Sequence, residues 1–300
     1  SPAILTGVLR GELGFDGVVV TDALNMAGVR TKYGDHRVPV LAIKAGADQL
    51  LMPPNLDLAY RSVLAAVRDG ELTEQRIDES VRRILTLKYR RGLVRAPLVD
   101  VDAAVAAVGT PAHQAAVRQV TDPTLTAVRN DAGLLPLPRA DRSVLVTGWN
   151  SAAFAPITRL ADGFTARGAR VTAWPATLPS DALIAATAAR ATAHDLTVVL
   201  VNKAWDTEVT DRRASQRRLV AALLATGKPV VVVAVRDPYD VAHLPGVDTF
   251  LASYTYTPAA MDTLVRALHG ELPPRGRLPV TIPVADGTGT LYPYGHGLTW

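Results

Sequence analysis

The segment Val18-Val19-Val20-Thr21-Asp22-Ala23-Leu24-Asn25-Met26 joins a short aliphatic run to a carboxylate. The run reads as a strand over 17–20 that is apolar throughout, the pattern of a strand buried on both faces, and Asp22 falls at its carboxyl end. In barrels of parallel strands those ends surround the active-site mouth, so an Asp there faces substrate rather than bulk water. The alternative is an Asp that caps the turn or helix that follows. Two further acidic groups stand in the second half. Glu208-Val209-Thr210-Asp211-Arg212 leads into an amphipathic helix carrying Leu219, Val220, Leu223 and Leu224, and reads as the loop feeding that helix. Arg236-Asp237-Pro238-Tyr239-Asp240 follows a buried strand and could rim a crevice at the carboxyl ends of an open sheet, although turn chemistry explains Asp237-Pro238 equally well. The six histidines, His36, His113, His194, His243, His269 and His296, sit in unrelated contexts, and a lone His is more often structural than a general acid.

The elements that must position these groups alternate between helix and buried strand, which means α/β. A helix carrying Ile4, Leu5, Val8, Leu9 and Leu13 ends at Gly14. After the strand before Asp22, residues 38–45 read as helix stopped by Gly46, residues 49–52 as a short strand, and 56–68 and 73–90 as the longest helices. Two strands are too few for an independently stable parallel sheet. From Gly92 to about Pro111 the chain becomes an Ala/Val/Pro-rich connection. Beyond it, strands are expected at 124–128, 143–147, 170–173, 197–201, 230–235 and 249–252, with helices between most of them, including the Ala-rich stretch 182–193. That spacing predicts a mainly parallel sheet inside a three-layer sandwich.

With 300 residues the chain holds about two domains at roughly 150 residues each. Its 48% apolar content fills ordinary cores and excludes a disordered tail. The longest aliphatic runs are strand-sized, far below the roughly 18 residues that cross a bilayer, so no membrane span is expected. The net charge of +4 is scattered, without the basic clusters of a nucleic-acid surface, so no nucleic-acid partner is expected. There is no cysteine, hence no disulfide, Cys-zinc site or thiol nucleophile. Neither Gly-x-Gly-x-x-Gly nor Gly-x-x-x-x-Gly-Lys-Ser/Thr occurs, and no metal or cofactor is expected. Because it opens on Ser1 and Pro2 rather than Met, with no leader, the chain is expected to be a fragment.

Gly14-Phe15-Asp16-Gly17 through Met26, then Ala42-Ile43-Lys44-Ala45-Gly46-Ala47-Asp48 with Leu50-Leu51-Met52-Pro53, resembles the end of the catalytic barrel of glycoside hydrolase family 3. Gly227-Lys228-Pro229-Val230 through Asp240, Gly276-Arg277-Leu278-Pro279-Val280-Thr281-Ile282-Pro283, and Tyr292-Pro293-Tyr294-Gly295-His296-Gly297-Leu298 resemble that family's second domain. The resemblance implies the C-terminal portion of a (β/α)8 TIM barrel (1–95), a linker (96–120) and a three-layer α/β/α sandwich (121–300). It implies that Asp22 is the nucleophile of a retaining glycosidase and that Met26 touches the carbohydrate substrate. A retaining mechanism also needs a proton donor roughly 5 Å away across the glycosidic bond.

Family members acting on glucosides usually carry Trp after the nucleophile, whereas Asp22-Ala23-Leu24-Asn25-Met26 resembles the β-N-acetylglucosaminidase branch. N-acetylglucosaminides, including cell-wall muropeptide sugars, are therefore the expected substrates. That branch takes its acid/base from a His in Lys-His-Phe-Pro-Gly-His-Gly, paired with an Asp in a following Asp-x-His. Neither motif occurs here, so the donor is expected in the missing N-terminal part of the barrel, strands one to six, ahead of Ser1. Other members take the acid from the second domain, where Glu208-Val209-Thr210-Asp211-Arg212 partly matches Glu-Gly-x-Asp-Arg without its Gly. Glu208 is thus the alternative acid/base of a β-glucosidase-type enzyme. A third alternative is a non-catalytic carbohydrate-binding or scaffolding fragment. The resemblance suggests an extracytoplasmic or secreted location and leaves the cytoplasm open.

Overall fold

The structure, a computed structural model, describes residues 1–96, 98–138 and 142–300. It divides into two units, Ser1–Ala106 and Ala107–Trp300.

The first unit opens with a helix, Ala3–Glu12, of the wide i→i+5 kind, whose C-cap Leu13 donates its N–H to Val8 O at 2.9 Å. Strand β1 (Val20–Ala23) follows, then α1 (Ala27–Tyr33), α2 (Arg37–Ala45), β2 (Gln49–Leu51), α3 (Leu56–Arg68) and α4 (Glu74–Arg90). Sequence chemistry sets these boundaries. Gly46 ends α2 in a left-handed conformation at φ 118°, which a side chain would strain. Asn55 accepts the Leu58 N–H to start α3, and Thr73 accepts that of Arg76 to start α4. β1 and β2 run parallel as a two-stranded sheet. Val40 and Ile43 from α2, Ala66 from α3, and Leu72 form a small core on which Leu50 of β2 packs.

Two expectations need correcting. The strand begins at Val20 rather than Gly17, because the Val19 N–H is taken by the Asp48 carboxylate at 2.9 Å and the regular ladder starts only after that contact. Nor is this strand covered on both faces. Val20 and Asp22 are exposed while Thr21 and Ala23 are half-buried.

Within 96–120, read as a connection, the chain forms α5 (Val101–Ala107) and α6 (Pro111–Thr121), the latter capped by Thr110 onto the His113 N–H. The second unit then lays down β3 (Thr126–Asn130), β4 (Ser143–Gly148), α7 (Pro156–Thr165), β5 (Arg170–Pro175), α8 (Asp181–Thr192), β6 (Leu196–Val201), α9 (Ser215–Leu224), β7 (Val230–Ala234), β8 (Thr249–Ala252) and α10 (Pro258–Leu268). The sheet order is β3-β8-β7-β6-β4-β5, and every pair is parallel except β3 with β8. Every residue of β6 and β7 is buried, as their unbroken aliphatic runs require. Val144, Val146, Val198, Leu200, Val231 and Val233 pack with α7 and α10 in one core. Leu145, Val199, Val201, Val232 and Phe250 pack with α8 and α9 in another.

A short antiparallel pair, β9 (Ile282–Pro283) with β10 (Thr290–Tyr292), was not anticipated from sequence. It belongs to a C-terminal segment that covers the outer edge of β3, where the Leu298 N–H bonds Ala127 O at 2.8 Å. Gly276 is obligatory there, since a Cβ would lie 2.3 Å from Thr124 O. Covering an edge strand removes its unpaired backbone groups from competition.

Candidate active site

Asp22 lies one residue from the carboxyl end of β1, beside the parallel strand β2. The register runs Val20 to Gln49 and Ala23 to Leu51, so β1 carries one extra residue over this interval. Such irregularities re-aim a side chain and are common next to active sites. The flanks are pinned: Thr21 Oγ1 accepts the Leu51 N–H at 3.0 Å, and the Leu24 N–H bonds Leu51 O at 2.9 Å. Between them the Asp22 carboxylate is exposed, its Oδ1 accepting the Ala23 N–H at 2.7 Å. It caps no helix, because α1 begins at Ala27 with Met26 as N-cap. Met26 is 45% exposed and its N–H reaches Ala23 O at 3.3 Å, closing a turn that begins one residue after Asp22.

Behind these strands stands a residue whose role the sequence did not reveal. Asp48 has a fully buried side chain and accepts from Arg10 at 2.7 Å, Ser80 at 2.8 Å, the Val19 N–H at 2.9 Å and Arg83 at 3.1 Å. Arg76 approaches at 3.5 Å. Burial pushes this carboxyl upward, but the Val19 N–H, the Ser80 hydroxyl, and the Arg10 and Arg83 charges outweigh it and hold the group below the ordinary carboxylate range. The Asp48 N–H also bonds Val19 O at 2.7 Å. Asp48 thus fixes the start of β2 against the start of β1, and through them the position of Asp22. The legible signal was the i, i+4, i+7 spacing of Arg76, Ser80 and Arg83 on one face of α4.

Glu208 belongs to the other unit. It is exposed in the turn after β6, where its backbone carbonyl accepts the Arg212 Nε–H at 3.1 Å. Its neighbour Asp211 is structural: buried, it accepts the Ser215 and Gln216 N–H groups at the start of α9 at 2.8 Å each. The turn after β7 is tied to the same loop, with Asp240 accepting the Trp205 N–H at 2.9 Å and Asp237 the Trp205 indole N–H at 3.3 Å. The histidines are dispersed. His194 bonds Arg190 O and Thr172, His269 bonds Val265 O, and His296 bonds Val128 O while stacked on Tyr292. Among the described residues no three His, Asp or Glu side chains are grouped as a metal site.

The family model described as glycosyl hydrolase family 3 N terminal domain matches residues 1–87, and that of the C-terminal domain matches residues 125–300. A β-N-acetylglucosaminidase/β-glucosidase of Cellulomonas fimi is 30% identical over 92% of this chain and 51% of its own length. A lysosomal β-glucosidase of Dictyostelium discoideum is 36% identical over 48% of this chain and 18% of its own. The solved structure of a glycoside hydrolase family 3 β-N-acetylglucosaminidase from Paenibacillus sp. str. FPU-7 superimposes with a TM-score of 0.76 at 30% identity, covering 92% of this chain and 53% of that one. The chain therefore spans about half the length of the relatives that it matches most fully. Family models over both units, in the order in which the sequence lays them down, show that the chain belongs to glycosyl hydrolase family 3.

Proposed function

We propose that the chain is the C-terminal part of a retaining glycosidase acting on N-acetylglucosaminides, with Asp22 as nucleophile. In this reading residues 1–95 complete a (β/α)8 barrel, 96–120 form the linker, and 121–300 are a three-layer companion domain. The observation that carries it is the exposed Asp22 carboxylate at an irregularity near the carboxyl end of β1, next to β2. A retaining mechanism needs this group ionised under the anomeric carbon. Ala23 after the nucleophile, where glucosidases of the family usually have Trp, supports the acetylated substrate, as does the similarity to the β-N-acetylglucosaminidase from Paenibacillus, while the Cellulomonas fimi relative carries both activities in its name.

The proton donor lies in barrel strands ahead of Ser1. General acid catalysis contributes roughly 100- to 10,000-fold, and lost positioning costs more, so the 300 residues alone should show no turnover. In the protein carrying those strands, Asp22→Ala should abolish hydrolysis of an aryl N-acetylglucosaminide while Glu208→Gln leaves it within a few fold. Loss of turnover on Glu208→Gln, with Asp22→Ala also inactive, would move the acid to the second unit and favour the β-glucosidase-type reading, for which the exposed Glu208 turn is the supporting observation.

A further inference from the structure

The loop after β6 is fastened to the turn after β7 by a carboxyl group buried without enough partners for a charge. Asp240 is fully buried. Its Oδ1 accepts the Trp205 N–H at 2.9 Å, while Oδ2 is buried with no hydrogen-bond partner among the described residues. Burial makes a negative charge on that oxygen costly, and no protein donor among the described residues lies within hydrogen-bond distance to offset it. Two charged groups act on it. Asp237, on the same turn, repels the charge. Arg217 of α9 attracts it, but its guanidinium is committed to the Ala204 and Trp205 carbonyls at 2.7 and 2.6 Å. His243 closes the turn and is held below its ordinary range by burial and by Arg217. The strands packed against the turn, β7 and β9, carry no titratable side chain. Burial above all pushes Asp240 up to about 7, with the Asp237 charge adding to it and the Trp205 and Ala204 N–H groups and Arg217 opposing it.

The loop itself is held in a conformation that needs fastening. Lys203 sits at φ 53°, a left-handed position that a lysine keeps only under constraint. The Trp205 ring meets Tyr239 edge-on at 6.0 Å.

We propose that Asp240 is a protonation-dependent latch: its neutral carboxyl clamps Trp205 and fixes the loop from Lys203 to Thr210, and its ionisation lets that loop lift until water reaches Oδ2. Glu208 rides on the loop, so the latch decides whether that carboxylate is held at the rim of the sheet or swings free. The inference concerns this unit alone and stands apart from the glycosidase reading. In the lifted loop a solvated Asp titrates near about 4. Opening therefore becomes more favourable by about tenfold per pH unit from there up to about 7, and levels off above that.

Amide exchange in the full 300-residue chain tests this, with the protection factor of the Trp205 N–H followed from pH 5 to pH 8 and referenced to Val232 in β7. Protection should fall about fiftyfold between pH 5 and pH 7 and then flatten. In Asp240→Asn it should be independent of pH, and in His243→Gln unchanged from the native profile. A flat native profile, or one that persists in Asp240→Asn, overturns the latch. Should Asp240→Asn fail to fold, the carboxyl carbon of Asp240 in the native chain decides by NMR titration: a midpoint near 7 supports the proposal and one near 4 overturns it.

Discussion

In the first unit two short strands present one face to helices and the other to solvent, and their register is set by a buried carboxylate among arginines. In the second, the inner strands of a six-stranded sheet are lined on both faces by aliphatic side chains, and the Asp240–Trp205 contact lies beyond the strand ends. The same α/β grammar thus rests on an ionic clamp in one place and on apolar packing in the other. An ionic clamp depends on pH and on every partner being present, whereas apolar burial scales with area and tolerates pH.

Removing the centre of each should have the largest effect. Phe164→Ala, which empties a fully buried site on α7, should cost about 3–5 kcal/mol in urea unfolding of the second unit. Asp48→Ala should cost the first unit about 3–5 kcal/mol as well, because it leaves Arg10, Arg76 and Arg83 without their shared counter-charge. Equal loss of protection in both units on either substitution would break the comparison.

Acidification should separate the units next. The folded Asp48 is held below its ordinary range, so its contribution is complete above the unfolded value of about 4 and is lost as pH falls through the folded one. Proteolysis between pH 5 and pH 3 should therefore cut the first unit first. Asp240 has the opposite sign, its stabilisation being complete below about 4 and lost as pH rises towards 7.

A matched pair gives the smallest effects. Val233→Thr places a hydroxyl in a buried strand and should cost about 1–3 kcal/mol, while Val20→Thr on the open face of β1 should stay within about 0.5 kcal/mol. The second value should rise towards the first in a longer protein whose additional strands cover that face.

Legibility followed the same division. The six strands of the main sheet lie within two residues of where the sequence places them, most directly for β6 and β7, whose burial on both faces leaves few alternatives. β1 was displaced because a side chain from position 48 takes the Val19 N–H, and no local pattern announces a partner so far along the chain. The Gly276 and Tyr292–Leu298 motifs were legible as motifs, but their work of closing the β3 edge becomes visible only in three dimensions. Asp240 read as part of an Asp-Pro turn, and its burial arises from Trp205 packing down from another loop. Asp22 was legible as a carboxylate following an apolar run, while its irregular register was not.

Under the proposed function, Asp22 attacks the sugar. The decisive measurement incubates a longer protein carrying the proposed additional strands with a slow 5-fluoro-N-acetylglucosaminide and maps peptides by mass spectrometry, since a retaining enzyme stores the sugar as a covalent ester on its nucleophile. One sugar on the peptide containing Asp22, absent in Asp22→Ala, is the predicted result. A label on another carboxylate, or equal labelling in Asp22→Ala, would contradict the account.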